Sequence, residues 1–174
     1  MPPSDSPLRL DGTRGRGRSI VAIQLQLAGD GAGAVAMRPY FEQLCDSLGG
    51  SMIGDHEQIT LDVAIDDSVC SAEDSMALGL IVTELVINAL KHAFPDQRKG
   101  GIRVSYGSSA DDWTLKVSDN GVGTRAASGK PGLGTGIVDA LTRNLGGTQL
   151  VSSSSAGTSV SINHAAGALP APVA

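Results

Sequence analysis

Apolar positions along the chain follow two periods, one of about two residues and one of about 3.6. Ile59, Leu61, Val63 and Ile65 alternate with polar residues and predict a half-buried strand. Ile102, Val104 and Tyr106 predict a second strand, and Trp113, Leu115 and Val117 a third. A helical period runs over residues 72–92, opened by Ser71 with Asp74 three residues on, a capping-box-like start. Tyr40, Phe41, Leu44 and Leu48 predict another helix, with Pro39 in its first turn and Gly49-Gly50 at its end. Ile137, Val138, Leu141 and Leu145 predict a third helical face, stopped by Gly146-Gly147. Strands are expected over 148–152 and 158–162, and residues 20–27 form a short apolar segment, helix or strand. Late hairpin-like strands with packed helices predict an α+β fold, a two-layer sandwich.

Composition bounds this picture. The 174 residues suffice for one ordinary domain, and 41% hydrophobic content is that of a soluble globular chain. Only 3% of residues are aromatic, so Leu, Ile, Val and Ala must build the core. A net charge of -5 argues against a nucleic-acid-binding face. The longest apolar run, over 77–90, contains Glu84 and Asn88 and is too short and polar to span a bilayer. The N-terminus lacks a signal-peptide pattern, and a cytoplasmic location is expected. Residues 1–18 and 165–174 read as a mobile and a disordered tail. Cys45 and Cys70 show no metal-ligand spacing and read as two thiols, with a disulfide left open.

Three segments carry candidate chemistry. Glu84, Asn88 and Lys91 share one face of the helix over 72–92, amid apolar neighbours. They read as a general base, an amide ligand for Mg²⁺ and a phosphate-binding lysine, or equally as one solvated polar stripe. Asp119-Asn120-Gly121-Val122-Gly123 follows a strand, where a carboxylate can accept a hydrogen bond from an exocyclic amine such as that of adenine. The same run is also an ordinary turn sequence. Gly132-Leu133-Gly134-Thr135-Gly136 leads into the helix expected near Ile137, and its backbone N–H groups suit an anion, although such loops also serve as plain connectors. Gly129-Lys130 is not a P-loop, because Pro131 stands where Ser or Thr is required. The 132–136 run also lacks the third glycine of a dinucleotide fingerprint.

Together the three segments are more specific than any one. Thr83-Glu84-Leu85-Val86-Ile87-Asn88-Ala89-Leu90-Lys91-His92-Ala93-Phe94 resembles the N box of two-component sensor histidine kinases. The Asp119 and Gly132 segments resemble their two glycine boxes, in the same order and spacing. The wording around the N box is most similar to the subfamily with the second type of dimerisation domain, and the match covers roughly residues 35–163. The resemblance implies a Bergerat ATP-binding fold, a mixed sheet with helices on one face, and ATP with Mg²⁺ as cofactors. Glu84 would be the catalytic base, with Lys91 assisting, and Asn88 the Mg²⁺ ligand. Lys91 and His92 would face the phosphates, although His92 can equally cap the end of its helix. Asp119 would bind adenine, with Gly121 and Gly123 making room for the base and Thr158 close by. Residues 124–131 would form a lid, and Gly132, Leu133, Gly134, Thr135 and Gly136 would line the phosphates.

The same resemblance divides the chain into a remnant of a dimerisation helix and connector over 19–50 and an ATP-binding domain over 51–164. None of the three histidines, His56, His92 and His164, fits a phosphoacceptor motif. A histidine kinase catalytic domain acting on a histidine of another domain or chain is therefore expected. Its partners would be a dimerisation domain and a response regulator, and a homodimer fits the same reading. An anti-sigma-factor-like serine kinase and a non-catalytic nucleotide-dependent binding module are the alternatives.

Overall fold

The structure, a computed structural model, describes residues 33–123 and 133–166. The tail over 1–18, the apolar segment over 20–27, the lid segment over 124–131, Gly132 and the tail beyond 166 lie outside the described residues. The elements are β1 (Ala34–Ala36), α1 (Met37–Met52), β2 (Ile59–Ile65), β3 (Val69–Ser71), α2 (Ala72–His92), β4 (Gly100–Ser109), β5 (Asp112–Asp119), α3 (Leu133–Asn144), β6 (Thr148–Ser154) and β7 (Gly157–His164).

Five strands form one mixed sheet in the order β2-β4-β5-β7-β6, and β1 pairs with β3 in a separate two-stranded ribbon. Strands β2 and β4 are parallel, so the chain must cross over between them, and α2 is the crossover. The remaining pairs are antiparallel, and tight turns join β4 to β5 at 110–111 and β6 to β7 at 155–156. Alternation sends every second side chain to the helical face, and the register aligns them in rows. One row runs Ile65, Tyr106, Leu115, Ile162 and Gln149. The next runs Val63, Val104, Val117, Val160 and Val151. The helices cover most of these rows from one side, and Val151 at the far end of the second row stays exposed.

Helix α2 begins as its sequence predicts, with the Ser71 hydroxyl accepting the Asp74 N–H at 3.1 Å. Leu78, Ile81, Val82 and Val86 are buried, and Lys91 and His92 sit in the last turn, where the helix dipole favours positive charge. Helix α1 runs past the glycine pair to Met52. The Ile53 N–H still reaches the Gly49 carbonyl at 2.9 Å, and Ile53 is buried beyond it. Helix α3 begins at Leu133, earlier than the expected start near Ile137. Its first inward side chain among those described is Val138, so the apolar period registers only after the first turn.

Residues 37–50, grouped by sequence with a dimerisation helix and connector, pack into this common core. Met37, Phe41, Leu44 and Leu48 are fully buried in the same cluster as α2 and the sheet. A run of ring contacts ties α1 to the strands: Tyr40 to Phe41, Phe41 to Tyr106, Tyr106 to Trp113, and Trp113 stacked on His164. Both cysteines are free thiols, and burial pushes Cys45 up to about 12 and Cys70 up to about 11. Among the described residues no helix is long and apolar enough to cross a membrane.

If α1 is integral to this core, Phe41→Ala should destabilise the whole unit by about 3–5 kcal/mol. Urea unfolding followed by fluorescence of Trp113, the only tryptophan, checks this. A Trp113 transition left at the wild-type midpoint would show that α1 is dispensable to the sheet.

Candidate functional site

The site grows out of the third row of the sheet. Leu115 and Val117 point inward on β5, so Asp119 takes the next inward position, opposite Ile102. A carboxylate that follows two apolar inward side chains needs compensation. One oxygen of Asp119 accepts the Gly121 N–H at 2.9 Å and the Thr158 N–H at 3.3 Å. The other oxygen has no hydrogen-bond partner among the described residues. Asp119 thus holds its own turn with one oxygen and offers the second to the space beside it.

That space is a cavity of about 300 Å³ between the sheet, α2 and α3. Its walls are largely apolar, from Leu85 and Ala89 on α2, Val138 on α3, and Val117 and Val160 on the sheet. Polar groups are few: Asn88 and His92 from α2, Asp119 and Thr158 from the strand ends, and Gln149 from β6. An apolar slot with a handful of convergent polar groups is the form of a small-molecule site. Among the described residues no cluster of three or more His, Cys, Asp or Glu could hold a metal ion.

Three glycines let backbones meet around Asp119. A Cβ at Gly121 would lie 2.2 Å from the Ala93 carbonyl oxygen, and one at Gly123 would lie 1.9 Å from that of Ser154. One at Gly157 would lie 2.0 Å from that of Asp119. Gly123 and Gly157 also have φ of 73° and 129°, where a side chain is strained. At Gly121 and Gly123 the side on which a Cβ would stand is occupied by the chain's own backbone. The loop is further pinned by Val122 N–H to the Ala93 carbonyl at 2.9 Å and by Gly101 N–H to Asn120 Oδ1 at 2.8 Å.

The structure brings Asn88, His92, Asp119, Gly123 and Thr158 to one cavity. Glu84 is half-buried one turn before Asn88 and does not line it. Lys91 is exposed and does not line it either. Leu133, Gly134, Thr135 and Gly136 form the first turn of α3. Gly136 is exposed, with open space around it.

Two residues, one behind Asp119 and one in the cavity wall, carry no role in the motif reading. Gly157 precedes Thr158 and backs directly onto Asp119. Gln149 occupies an inward position on β6, which strict alternation with Val151 would have revealed. Its Oε1 is shut off from solvent without a hydrogen-bond partner, a condition that costs about 1–3 kcal/mol.

Comparison with known proteins agrees with this geometry. Residues 73–166 match the family of histidine kinase-, DNA gyrase B- and HSP90-like ATPases, and the chain belongs to that family. A curated relative is blue-light-activated histidine kinase 2 of Erythrobacter litoralis, 32% identical over 109 residues, covering 60% of this chain and 32% of the relative. The chain thus spans about a third of that protein's length. Among solved structures, the histidine kinase domain of an Erythrobacter litoralis blue-light-activated histidine kinase superposes with a TM-score of 0.73 at 24% identity. That match covers 85% of this chain and 76% of the other. The histidine kinase AdeS of Acinetobacter baumannii gives 0.61 at 18%, covering 86% and 74%. These likenesses establish the mixed-sheet fold of histidine kinase ATPase domains.

The glycine geometry predicts opposite outcomes at two positions. Gly157→Ala should lower stability by more than about 1 kcal/mol, since it forces a methyl group into the Asp119 backbone at positive φ. Gly136→Ala meets open space on a helix and should raise stability by about 0.5–1 kcal/mol. Chemical denaturation of the two variants measures both.

Proposed function

We propose that this chain is the Mg-ATP-binding catalytic domain of a sensor histidine kinase, transferring the γ-phosphoryl group to a histidine of another domain or chain. The observation that carries the reading is Asp119: a carboxylate that continues the inward series of Leu115 and Val117, with one oxygen committed to its turn and the other bordering a largely apolar slot. In this reading that second oxygen accepts the adenine amine, while Val117, Val138 and Val160 contact the ring faces. Asn88 would hold Mg²⁺ through its amide oxygen, and the chemistry such an ion would supply is charge neutralisation at the phosphates. Lys91 and His92, at the end of α2, would face the phosphates, and the N–H groups of Leu133, Gly134, Thr135 and Gly136 in the first turn of α3 would line them, as would Gly132, which lies outside the described residues. Thr158 supports the adenine end beside Asp119.

Glu84, one helical turn before Asn88 and outside the cavity lining, would meet a partner's imidazole. There its carboxylate takes the imidazole proton as the nitrogen–phosphorus bond forms and the bond to the departing ADP breaks. The chain's own histidines are poor acceptors. His56 lies in an exposed turn, His92 lines the cavity, and His164 is stacked on Trp113. The acceptor therefore belongs to a dimerisation domain, the phosphoryl group passes on to a response regulator, and the domain works where cytoplasmic ATP is available.

Asp119→Ala should abolish ATP binding by calorimetry, and wild-type affinity in that variant would overturn the adenine assignment. Asn88→Ala should weaken Mg-ATP binding more than binding of Mg-free nucleotide, and equal losses would remove the metal role. With γ-labelled ATP, the chain alone should acquire no acid-labile, base-stable label. Label should appear on an added histidine-bearing dimerisation domain. Acid-stable label on a partner would instead identify a serine kinase.

A further inference from the structure

We infer that Gln149 is a second recognition point for the base, its amide donating from Nε2 to a ring nitrogen of the purine. The inference rests on the adenine-nucleotide reading above and adds a contact on the wall opposite α2. Gln149 stands in an otherwise apolar row, cross-strand from Ile162 and in line with Leu115, Tyr106 and Ile65. Packing alone favours Leu, Ile or Val at such a position. Instead it carries an amide that makes no hydrogen bond among the described residues, with Oε1 sealed from solvent. Neither the sheet nor α3 uses the amide, so the fold does not account for it. A buried polar group that lowers stability without a structural partner marks a place where function is served.

The amide does border one space, the cavity that also receives Asp119, Asn88 and Thr158. The chemistry of the two polar walls is complementary to adenine. Asp119 is an acceptor and takes the exocyclic N–H. The ring nitrogens N1, N3 and N7 are acceptors, and among the strand-borne side chains of the cavity Gln149 brings N–H donors on a flexible stem. The last torsion of glutamine is soft, so the amide can turn its Nε2 toward the base while the stem stays packed. A base carrying N–H in place of a ring acceptor would meet that donor with another donor, so the pair of contacts selects as well as binds.

The test uses the full 174-residue chain and Gln149→Leu, which keeps the apolar stem and removes the amide. Calorimetry should show ATP binding weakened about fivefold to tenfold, the loss of one hydrogen bond to the ligand. The melting temperature of the nucleotide-free variant should rise by about 2–4 °C, because the unpaired carbonyl is gone. A merely structural glutamine would move stability the other way. Ring-nitrogen analogues of ATP, lacking N1, N3 or N7 in turn, locate the contact. One of them should bind the wild type more weakly than ATP does, yet bind Gln149→Leu as well as ATP does. Unchanged ATP affinity in Gln149→Leu, or losses for all three analogues that are the same in both proteins, would overturn the inference alone. Loss of stability and affinity together would assign Gln149 to the fold and overturn it too. Absence of ATP binding by the wild type would overturn the underlying reading and this inference with it.

Discussion

A carboxylate sits where the pleat of the sheet calls for an apolar side chain, and the architecture around the cavity answers to it. Asp119 continues the inward series of Leu115 and Val117, so its charge faces the helices. Holding it there takes two backbone N–H groups from two different segments, Gly121 just after it and Thr158 at the start of β7. Those segments can come so close only because Gly157 has no Cβ against the Asp119 carbonyl. Gly121 in turn packs on Ala93 at the end of α2, and Gly123 packs on Ser154 at the end of β6. One charge thus dictates where a helix, a loop and a hairpin converge.

The same convergence leaves the core unfinished. The second row is covered at Val63, Val104 and Val117, whereas Val151 at its far end is 60% exposed despite facing inward. Helix α3 covers the sheet near Val138 but leaves a gap between itself and α2, and the cavity occupies that gap. On the proposed reading a flat purine is the missing piece of packing, seated against valines that otherwise line an incompletely filled space. Apolar walls supply area without direction, and the few polar groups supply direction.

Much of the fold was legible because its signals are local. Ser71 with Asp74, the apolar series of α2, and the alternation in β2, β4 and β5 each correspond to an observed element. Ends were harder to read. Gly49-Gly50 reads as a stop, yet α1 continues because tertiary burial of Leu48 and Ile53 outweighs the weak helix preference of glycine. The first turn of α3 carries glycines at 134 and 136, which read as a loop, so the sequence places the helix start near Ile137 rather than at Leu133. The short strands β1 and β3 have three residues each, too few to show a period. Candidate site residues were legible by motif, but their distances were not: Asn88, Asp119 and Thr158 meet only through the crossover and the β5–β7 pairing.

Gln149 shows why motif and geometry are complementary sources. A motif marks positions where one residue type recurs for a shared chemical reason, and Asp119 and Asn88 are visible on that ground. A polar residue replacing an apolar one inside a strand leaves no motif at all. It becomes visible only when the register places it beside Ile162 and the accounting of hydrogen bonds finds its amide without a partner. The conflict is local, one side chain against its row, and the sheet tolerates it because the neighbouring space is open rather than packed. In a closed core the same amide would be displaced by a better-fitting aliphatic residue. Beside a cavity it can persist when something that enters the cavity uses it, and this separates a recognition residue from a packing defect in an otherwise apolar wall.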